Sequence, residues 1–121
     1  MDGETDPETL EARLADGDAP LIVDIRSPEA FAEGHLPDSE NVPLADLPQR
    51  IDDIADADEV VTVCPHGKAS VKAARIVGAY QDFDGRVVSL AGGLEAWDGP
   101  LAVAEGATQA GDGDDAPDAP F

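Results

Sequence analysis

Several residue types are rare in this sequence, and each shortage excludes a class of protein. Only one of the 121 residues is a cysteine, so the chain has no internal disulfide framework. No apolar run approaches the roughly 18 residues of a membrane-spanning helix. The first residues, MDGETDPE, are acidic where a secretory signal is basic and then apolar. We therefore expect a single-domain cytoplasmic protein with no membrane partner.

Basic residues are also scarce. Seven Lys and Arg residues stand against 27 Asp and Glu residues, which gives a formal net charge of −20. Nucleic acids carry charge of the same sign, so a nucleic-acid partner is not expected. An Asp-rich, Lys-poor surface resembles that of proteins from halophiles, in which concentrated salt screens the repulsion between carboxylates. The alternative is an acidic, highly soluble protein without a salt requirement.

Short apolar runs alternate with amphipathic segments along the chain. Strands are predicted at 21–25, 59–63 and 86–90, with at most a short strand near 41–42. Helices are predicted from Asp6-Pro7 to Gly17 and from Ser27-Pro28 to Gly34, and then within 44–54 and over 70–80 and 93–97. This alternation predicts an α/β fold, a parallel sheet with helices on both faces. The domain is expected over 1–103, and the Gly-, Asp- and Pro-rich residues 104–121 are expected to form a disordered acidic tail.

The single cysteine lies in the stretch VVTVCPHGKAS, residues 60–70. Cys64 directly follows the strand predicted at 59–63, and Ser70 is expected to cap the next helix. Ligands bind at this end of the strands in open parallel sheets. A helix N-terminus also lowers the pKa of a nearby thiol. Cys64 is therefore the candidate nucleophile, and a buried packing cysteine is the alternative.

The charges around this loop differ from those of the rest of the chain. Residues 60–81 contain no acid, yet they contain Lys68, Lys72 and Arg75. Buried strands and helices are naturally poor in acids, so structure explains part of the gap. Burial does not explain why Lys68 and Lys72 both lie in this stretch. They predict an anionic thiolate, an anionic substrate, or both.

Four motifs in register resemble the rhodanese family of thiosulfate sulfurtransferases. The loop CPHGKAS resembles that family's active-site loop. The segment VDIRSPEAFAEGHLPDSENVP resembles its Asp-x-Arg and Gly-His-Ile-Pro motifs, and LAGGLEAW resembles its Gly-Gly-x-x-x-Trp motif. The resemblance spans roughly residues 8 to 100, nearly the whole predicted domain. It implies a single α/β rhodanese-like domain.

The resemblance also implies a reaction and a set of partners. Cys64 is implied to take a sulfur atom from a small anionic donor such as thiosulfate and to hold it as a persulfide. The sulfur then passes to a thiol or a sulfur-carrier acceptor. No cofactor is implied, and we expect a monomer. The loop residues implied to bind the donor are His66, Gly67, Lys68, Ala69 and Ser70.

Four further residues are expected to be structural rather than catalytic. Asp24 and Arg26 are expected to form a buried ion pair. His35 is expected to make a structural hydrogen bond, and Trp97 to lie in the core.

The loop also departs from the family pattern in two places. Pro65 has no N–H to donate, and Lys68 stands where many members of the family carry arginine.

Other functions also use a single reactive cysteine or this fold. A cysteine phosphatase or arsenate reductase needs arginine six residues after its cysteine, and this chain has Ser70 there. A metal site is not expected, because Cys64 and His66 leave His35 as the only further histidine. A redox dithiol is excluded by the single cysteine. A non-catalytic binding or sulfur-sensing module with the rhodanese fold is the main alternative.

Overall fold

The computed structural model describes residues 3–99 and 101–103, which form a five-stranded parallel sheet with helices. The spatial order of the strands is β1-β5-β4-β2-β3. The strands are β1 (Glu4–Thr5), β2 (Leu21–Asp24), β3 (Glu40–Asn41), β4 (Glu59–Val63) and β5 (Arg86–Leu90). The helices are α1 (Pro7–Ala15), α2 (Pro28–Glu33), α3 (Leu47–Ile54) and α4 (Ala69–Ala79). Among these described residues, no helix is both long and apolar enough to cross a bilayer.

Local sequence explains where the first two helices begin. The Asp6 carboxylate accepts a hydrogen bond from the Thr9 amide at 2.7 Å, and the first residue of α1 is a proline. The Ser27 hydroxyl accepts one from the Ala30 amide at 3.2 Å at the start of α2. Both helix starts agree with the sequence-based prediction.

The sheet separates two apolar cores, because alternate residues of each strand point to opposite faces. Val23, Val60 and Val87 lie on the face covered by α3 and α4. On the other face Val61 and Val88 pack with α1 and with Trp97. The predicted α/β class, with a parallel sheet and helices on both faces, is confirmed.

One element of the structure was not predicted from the sequence, and two predicted elements differ from it in type or by one residue. Edge strand β1, at Glu4–Thr5, was not predicted, because two residues carry no pattern and the strand exists only by pairing with β5. The helix predicted at 93–97 is a single 3₁₀ turn, Leu94–Ala96. The strand near 41–42 lies at Glu40–Asn41. The predicted tail, residues 104–121, lies outside the described residues.

The prediction that Ser70 caps α4 is wrong. The helix begins at Ala69, so Ser70 lies inside its first turn, and the cap position is held by Lys68 without a side-chain hydrogen bond. The Ser70 side chain is fully buried and faces the sheet. A serine before an apolar helical run gives the same sequence signal whether it caps the helix or enters the core, and here tertiary contacts decide.

Candidate active site

Cys64 lies at the carboxyl end of the central strand β4. Parallel strands β2 and β5 flank β4, and the residue after Val63 leaves the sheet directly into the loop before α4. The cysteine is 2% exposed, so its sulfur lies at the bottom of the loop rather than on its outer side. This edge of the sheet is where the sequence places the nucleophile.

The loop curls around the sulfur and turns donors toward it. The Gly67 amide donates a hydrogen bond to Cys64 Sγ at 3.0 Å, and Ser70 Oγ lies 3.3 Å from the same sulfur. Gly67 has φ +82°, a left-handed conformation that favours glycine. A Cβ on Gly67 would lie 2.8 Å from the Gly92 amide nitrogen, so a side chain has no room there.

The environment lowers the pKa of the Cys64 thiol. Burial is the largest single influence and raises this pKa, because a thiolate loses hydration. Hydrogen bonds from the Ser70 hydroxyl, and from the amides of Ser70, His66 and Gly67, lower it and together outweigh burial. The thiolate is the nucleophilic form of cysteine, so this loop activates its sulfur.

A second turn, which contains Gly92 and Gly93, packs against the cysteine loop. Cys64 O accepts from the Leu94 amide at 2.8 Å, and Pro65 O accepts from the Glu95 amide at 3.0 Å. Gly93 has φ +66°, and a Cβ there would lie 2.4 Å from Cys64 O. The close approach of Gly93 and the two amides that follow it therefore stabilise the conformation of the cysteine loop.

The outer side of the loop is open and charged. Pro65, His66, Lys68 and Ala69 are all exposed. His66 Nδ1 lies 3.1 Å from Glu95 Oε2, and both of these side chains are largely exposed, so the pair contributes little to stability. Of the five loop residues expected to bind a donor, Gly67 and Ser70 contact the sulfur through hydrogen bonds, and the other three form the rim.

The expected ion pair of Asp24 and Arg26 lies beside this rim. Arg26 Nη2 is 2.7 Å from Asp24 Oδ2, and Arg26 Nε is 2.9 Å from Oδ1, a two-pronged contact with a carboxylate that is 1% exposed. Arg26 also donates to Gly34 O at 2.6 Å. The pair thus ties the end of β2 to the end of α2.

His35 and Trp97 lie away from the sulfur. His35 Nδ1 is 2.7 Å from Phe31 O, and the two rings stack with centroids 3.7 Å apart. The backbone of His35 pairs with Ala102 in an antiparallel bridge. Trp97 is buried against the α1 face of the sheet.

A cavity of about 330 Å³ opens beside the cysteine loop. Its lining combines apolar and charged side chains: Arg26, Pro65, Leu94, Glu95 and Leu101. A larger cavity of about 500 Å³ lies along α1 near Pro37, and none of its lining residues belongs to the cysteine loop. We therefore regard the smaller cavity as the approach to the site. Among the residues that the structure describes, no group of three or more His, Cys, Asp or Glu is placed to hold a metal ion.

Sequence reasoning missed one polar residue of the site, Ser89. It is fully buried in β5, and its Oγ lies 2.6 Å from Ser70 Oγ. The available signal was the serine in the apolar run RVVSL, where a hydroxyl on a covered strand requires a partner.

Comparisons with known proteins agree with this architecture. A family model described as a rhodanese-like domain matches residues 6–99. The chain is 39% identical over 97 residues to a protein named sulfurtransferase from Allochromatium vinosum, covering 80% of this chain and 89% of that one. It is 40% identical over 96 residues to thiosulfate sulfurtransferase GlpE of Pseudomonas syringae pv. syringae, covering 75% and 82%. A solved rhodanese-like domain protein from Staphylococcus aureus matches with TM-score 0.74 and 25% identity, over 84% of this chain and 98% of that one.

Proposed function

The chain belongs to the rhodanese-like family and is a rhodanese-type sulfurtransferase, and on that premise we propose that Cys64 carries the transferred sulfur as a persulfide. The observation that supports this most strongly is the position of Cys64 Sγ. It lies within hydrogen-bond distance of the Gly67 amide and the Ser70 hydroxyl, at the end of the central strand. These donors stabilise a negative sulfur before any substrate binds.

In the first half-reaction, the Cys64 thiolate attacks the outer sulfur of a sulfane donor. With thiosulfate, which we propose as a donor by analogy with the GlpE relative, a new S–S bond forms as the bond between the two donor sulfurs breaks. Sulfite leaves with the electron pair of the broken bond. The enzyme is left with a negatively charged persulfide, and we propose that the loop amides stabilise it.

In the second half-reaction, an acceptor nucleophile attacks the outer sulfur of the persulfide. The acceptor is a thiolate, a sulfur-carrier thiol or, in an assay, cyanide. The bond between the two sulfurs breaks, and its electron pair returns to Cys64 as the thiolate. No net proton or electron is left over, so the cycle needs no cofactor.

The exposed rim is proposed to receive the donor. Lys68 is exposed at the start of α4, and the helix terminus adds partial positive charge. His66 extends the rim beside Glu95. Lysine offers a point charge rather than the two-pronged clamp of arginine, so we expect charge-based rather than shape-based selection of the donor.

We also propose that the acidic composition is an adaptation to concentrated salt. The net charge of −20 on 121 residues creates a repulsion that falls as salt shortens the screening length, from about 10 Å at 0.1 M to about 3 Å at 1 M. This proposal is independent of the chemistry at Cys64.

Cyanide-coupled steady-state kinetics test the proposed function. Varying thiosulfate at several fixed cyanide concentrations is expected to give the parallel double-reciprocal lines of a two-step covalent mechanism. Cys64→Ser is expected to fold and to produce no thiocyanate above background, because the hydroxyl forms no persulfide. Thiocyanate production by the serine variant contradicts the assignment. Thiosulfate binding without turnover by the unaltered chain favours the non-catalytic module.

A further inference from the structure

Ser89 is an unexpected residue at its position. It lies in β5 between Val88 and Leu90, and all three residues are at most 2% exposed. A hydroxyl in such a place loses its hydration and needs a hydrogen-bond partner within the protein. The identity of that partner links Ser89 to the active site.

Three polar atoms form a short buried chain that ends at the nucleophile. Ser89 Oγ lies 2.6 Å from Ser70 Oγ, and Ser70 Oγ lies 3.3 Å from Cys64 Sγ. Both serines are 0% exposed. In the part of the chain that the structure describes, Ser70 Oγ is the single hydrogen-bond partner of Ser89 Oγ.

The number of protons in this hydrogen-bond chain differs between the two ionisation states of Cys64. Three atoms in a row make two hydrogen bonds between them. When Cys64 is a thiol, the three side chains carry three protons, so one of these protons has no acceptor among the three atoms. When Cys64 is a thiolate, only two protons remain. Ser89 then donates to Ser70, Ser70 donates to Cys64 Sγ, and every proton has an acceptor.

We propose that Ser89 is a positioning residue that favours the thiolate of Cys64 by donating its proton to Ser70. The Ser89 bond holds Ser70 in the donor orientation and polarises its hydroxyl, because hydrogen bonds in a chain strengthen one another. Ser89 itself does not contact the sulfur. The proposal extends the proposed role of Cys64 as nucleophile and rests on it.

A neighbouring buried hydroxyl provides the matched control. Thr62 lies in β4, is 0% exposed, and donates to Ser70 O at 2.7 Å. Thr62 therefore contacts the same residue as Ser89 does, but it does not belong to the hydrogen-bond chain that reaches Cys64 Sγ. Thr62→Val removes a hydroxyl beside Ser70 while leaving the Ser89–Ser70–Cys64 chain intact.

The test is the pH dependence of alkylation of Cys64 by iodoacetamide, a neutral reagent. Ser89→Ala is expected to raise the pH midpoint by about half a unit, a roughly threefold loss of thiolate below the midpoint. Thr62→Val is expected to leave the midpoint unchanged. In a Ser70→Ala background, Ser89→Ala is expected to add no further shift.

Two results overturn the proposal: an unchanged midpoint in Ser89→Ala, or an equal rise when Ser70 is already alanine. Should Ser89→Ala not fold by circular dichroism, the pair Ser89→Thr and Ser89→Val replaces it. These two side chains have nearly the same shape, and only threonine keeps the hydroxyl. The proposal then requires a higher midpoint in the valine variant than in the threonine variant, and equal midpoints refute it.

Alkylation does not require sulfur transfer, so the two proposals can fail separately. A midpoint that rises in Ser89→Ala, with no persulfide formed by the unaltered chain, removes the proposed function alone. A persulfide together with an unchanged midpoint removes the role of Ser89 alone.

Discussion

The two ends of the sheet shift the ionisation of a nearby side chain in opposite directions. At the carboxyl end, hydrogen-bond donors outweigh burial and lower the pKa of the Cys64 thiol. At the amino end, a hydrogen bond to Asp52, then burial, then the charges of Asp52 and Asp82 raise the pKa of Tyr80 to about 12. Local hydrogen bonds thus favour the thiolate of Cys64 and disfavour the phenolate of Tyr80.

The two ends also differ in the acids that lie around them. At the amino end, Asp56, Asp58, Asp82 and Asp84 line a shallow cavity of about 290 Å³. The 22 residues from 60 to 81, which include the cysteine loop and α4, contain no acid. A net charge of −20 is compatible with a lowered pKa of the Cys64 thiol, because the cysteine loop and α4 carry no acid of their own. Of the acids beside the rim, Asp24 is paired with Arg26 and Glu95 lies against His66.

The largest effect is expected from a side chain at Gly93, where the second turn packs against the cysteine loop. Gly93→Ala puts a Cβ 2.4 Å from Cys64 O in a left-handed conformation, so the loop must move. We expect a loss of about 3 kcal/mol of stability and near-complete loss of thiocyanate production. Chemical denaturation and the cyanide assay measure the two effects.

Gly17→Ala is the matched control for this change. Gly17 has φ +75°, and a Cβ there would meet nothing within 4 Å. Only the backbone strain remains, about 1 kcal/mol, with activity unchanged. Equal effects of the two substitutions would show that conformational strain alone, and not contact with the loop, makes Gly93 necessary.

The next largest effect is expected at the charged rim. Lys68→Ala is expected to lower kcat/KM roughly tenfold for dianionic thiosulfate and about threefold for monoanionic benzenethiosulfonate, since attraction scales with charge. Arg86→Ala removes an exposed cation at the amino end of β5 and is expected to leave both values unchanged. Equal losses for both donors in Lys68→Ala would indicate distortion of the loop instead.

Salt is expected to affect stability more than chemistry. Between low and molar potassium chloride, we expect the melting temperature to rise, because carboxylate repulsion across the surface is screened. Activity per folded molecule at saturating donor is expected to stay nearly constant, since the buried contacts around Cys64 Sγ are screened much less. A melting temperature that is highest without salt would refute the salt-adaptation proposal.

The smallest effect concerns the amino end alone. Tyr80 is the chain's only tyrosine, so phenolate absorbance against pH reports it without interference. Asp52→Asn is expected to move the pKa of Tyr80 from about 12 back toward its ordinary value, and Asp82→Asn to move it less. Neither change is expected to alter the alkylation midpoint of Cys64. A shift of the Cys64 midpoint would show that charges at the amino end of the sheet affect the ionisation of Cys64.

Much of this architecture is predictable from the sequence because its signals are local. Asp6 and Ser27 cap helices by contacts three residues away, and the apolar runs at 59–63 and 86–90 specify covered strands. The position of Cys64 follows from the strand before it. Each of these features needs only neighbours along the chain.

The features that sequence reasoning missed depend on distant partners. Edge strand Glu4–Thr5 forms only because β5 offers it an unpaired edge. Ser70 faces Ser89, 19 residues further along the chain, and a short local window contains no trace of that contact. For the same reason, the sequence predicts that the loop activates Cys64 but not which hydroxyl chain supports the activation.

The intact mass of the protein after incubation with thiosulfate shows whether Cys64 receives sulfur. We expect a gain of one sulfur atom per chain, removed by cyanide or by a thiol and absent in Cys64→Ser. An unaltered mass in the active wild-type enzyme, or a cyanide-labile sulfur in the serine variant, would contradict it.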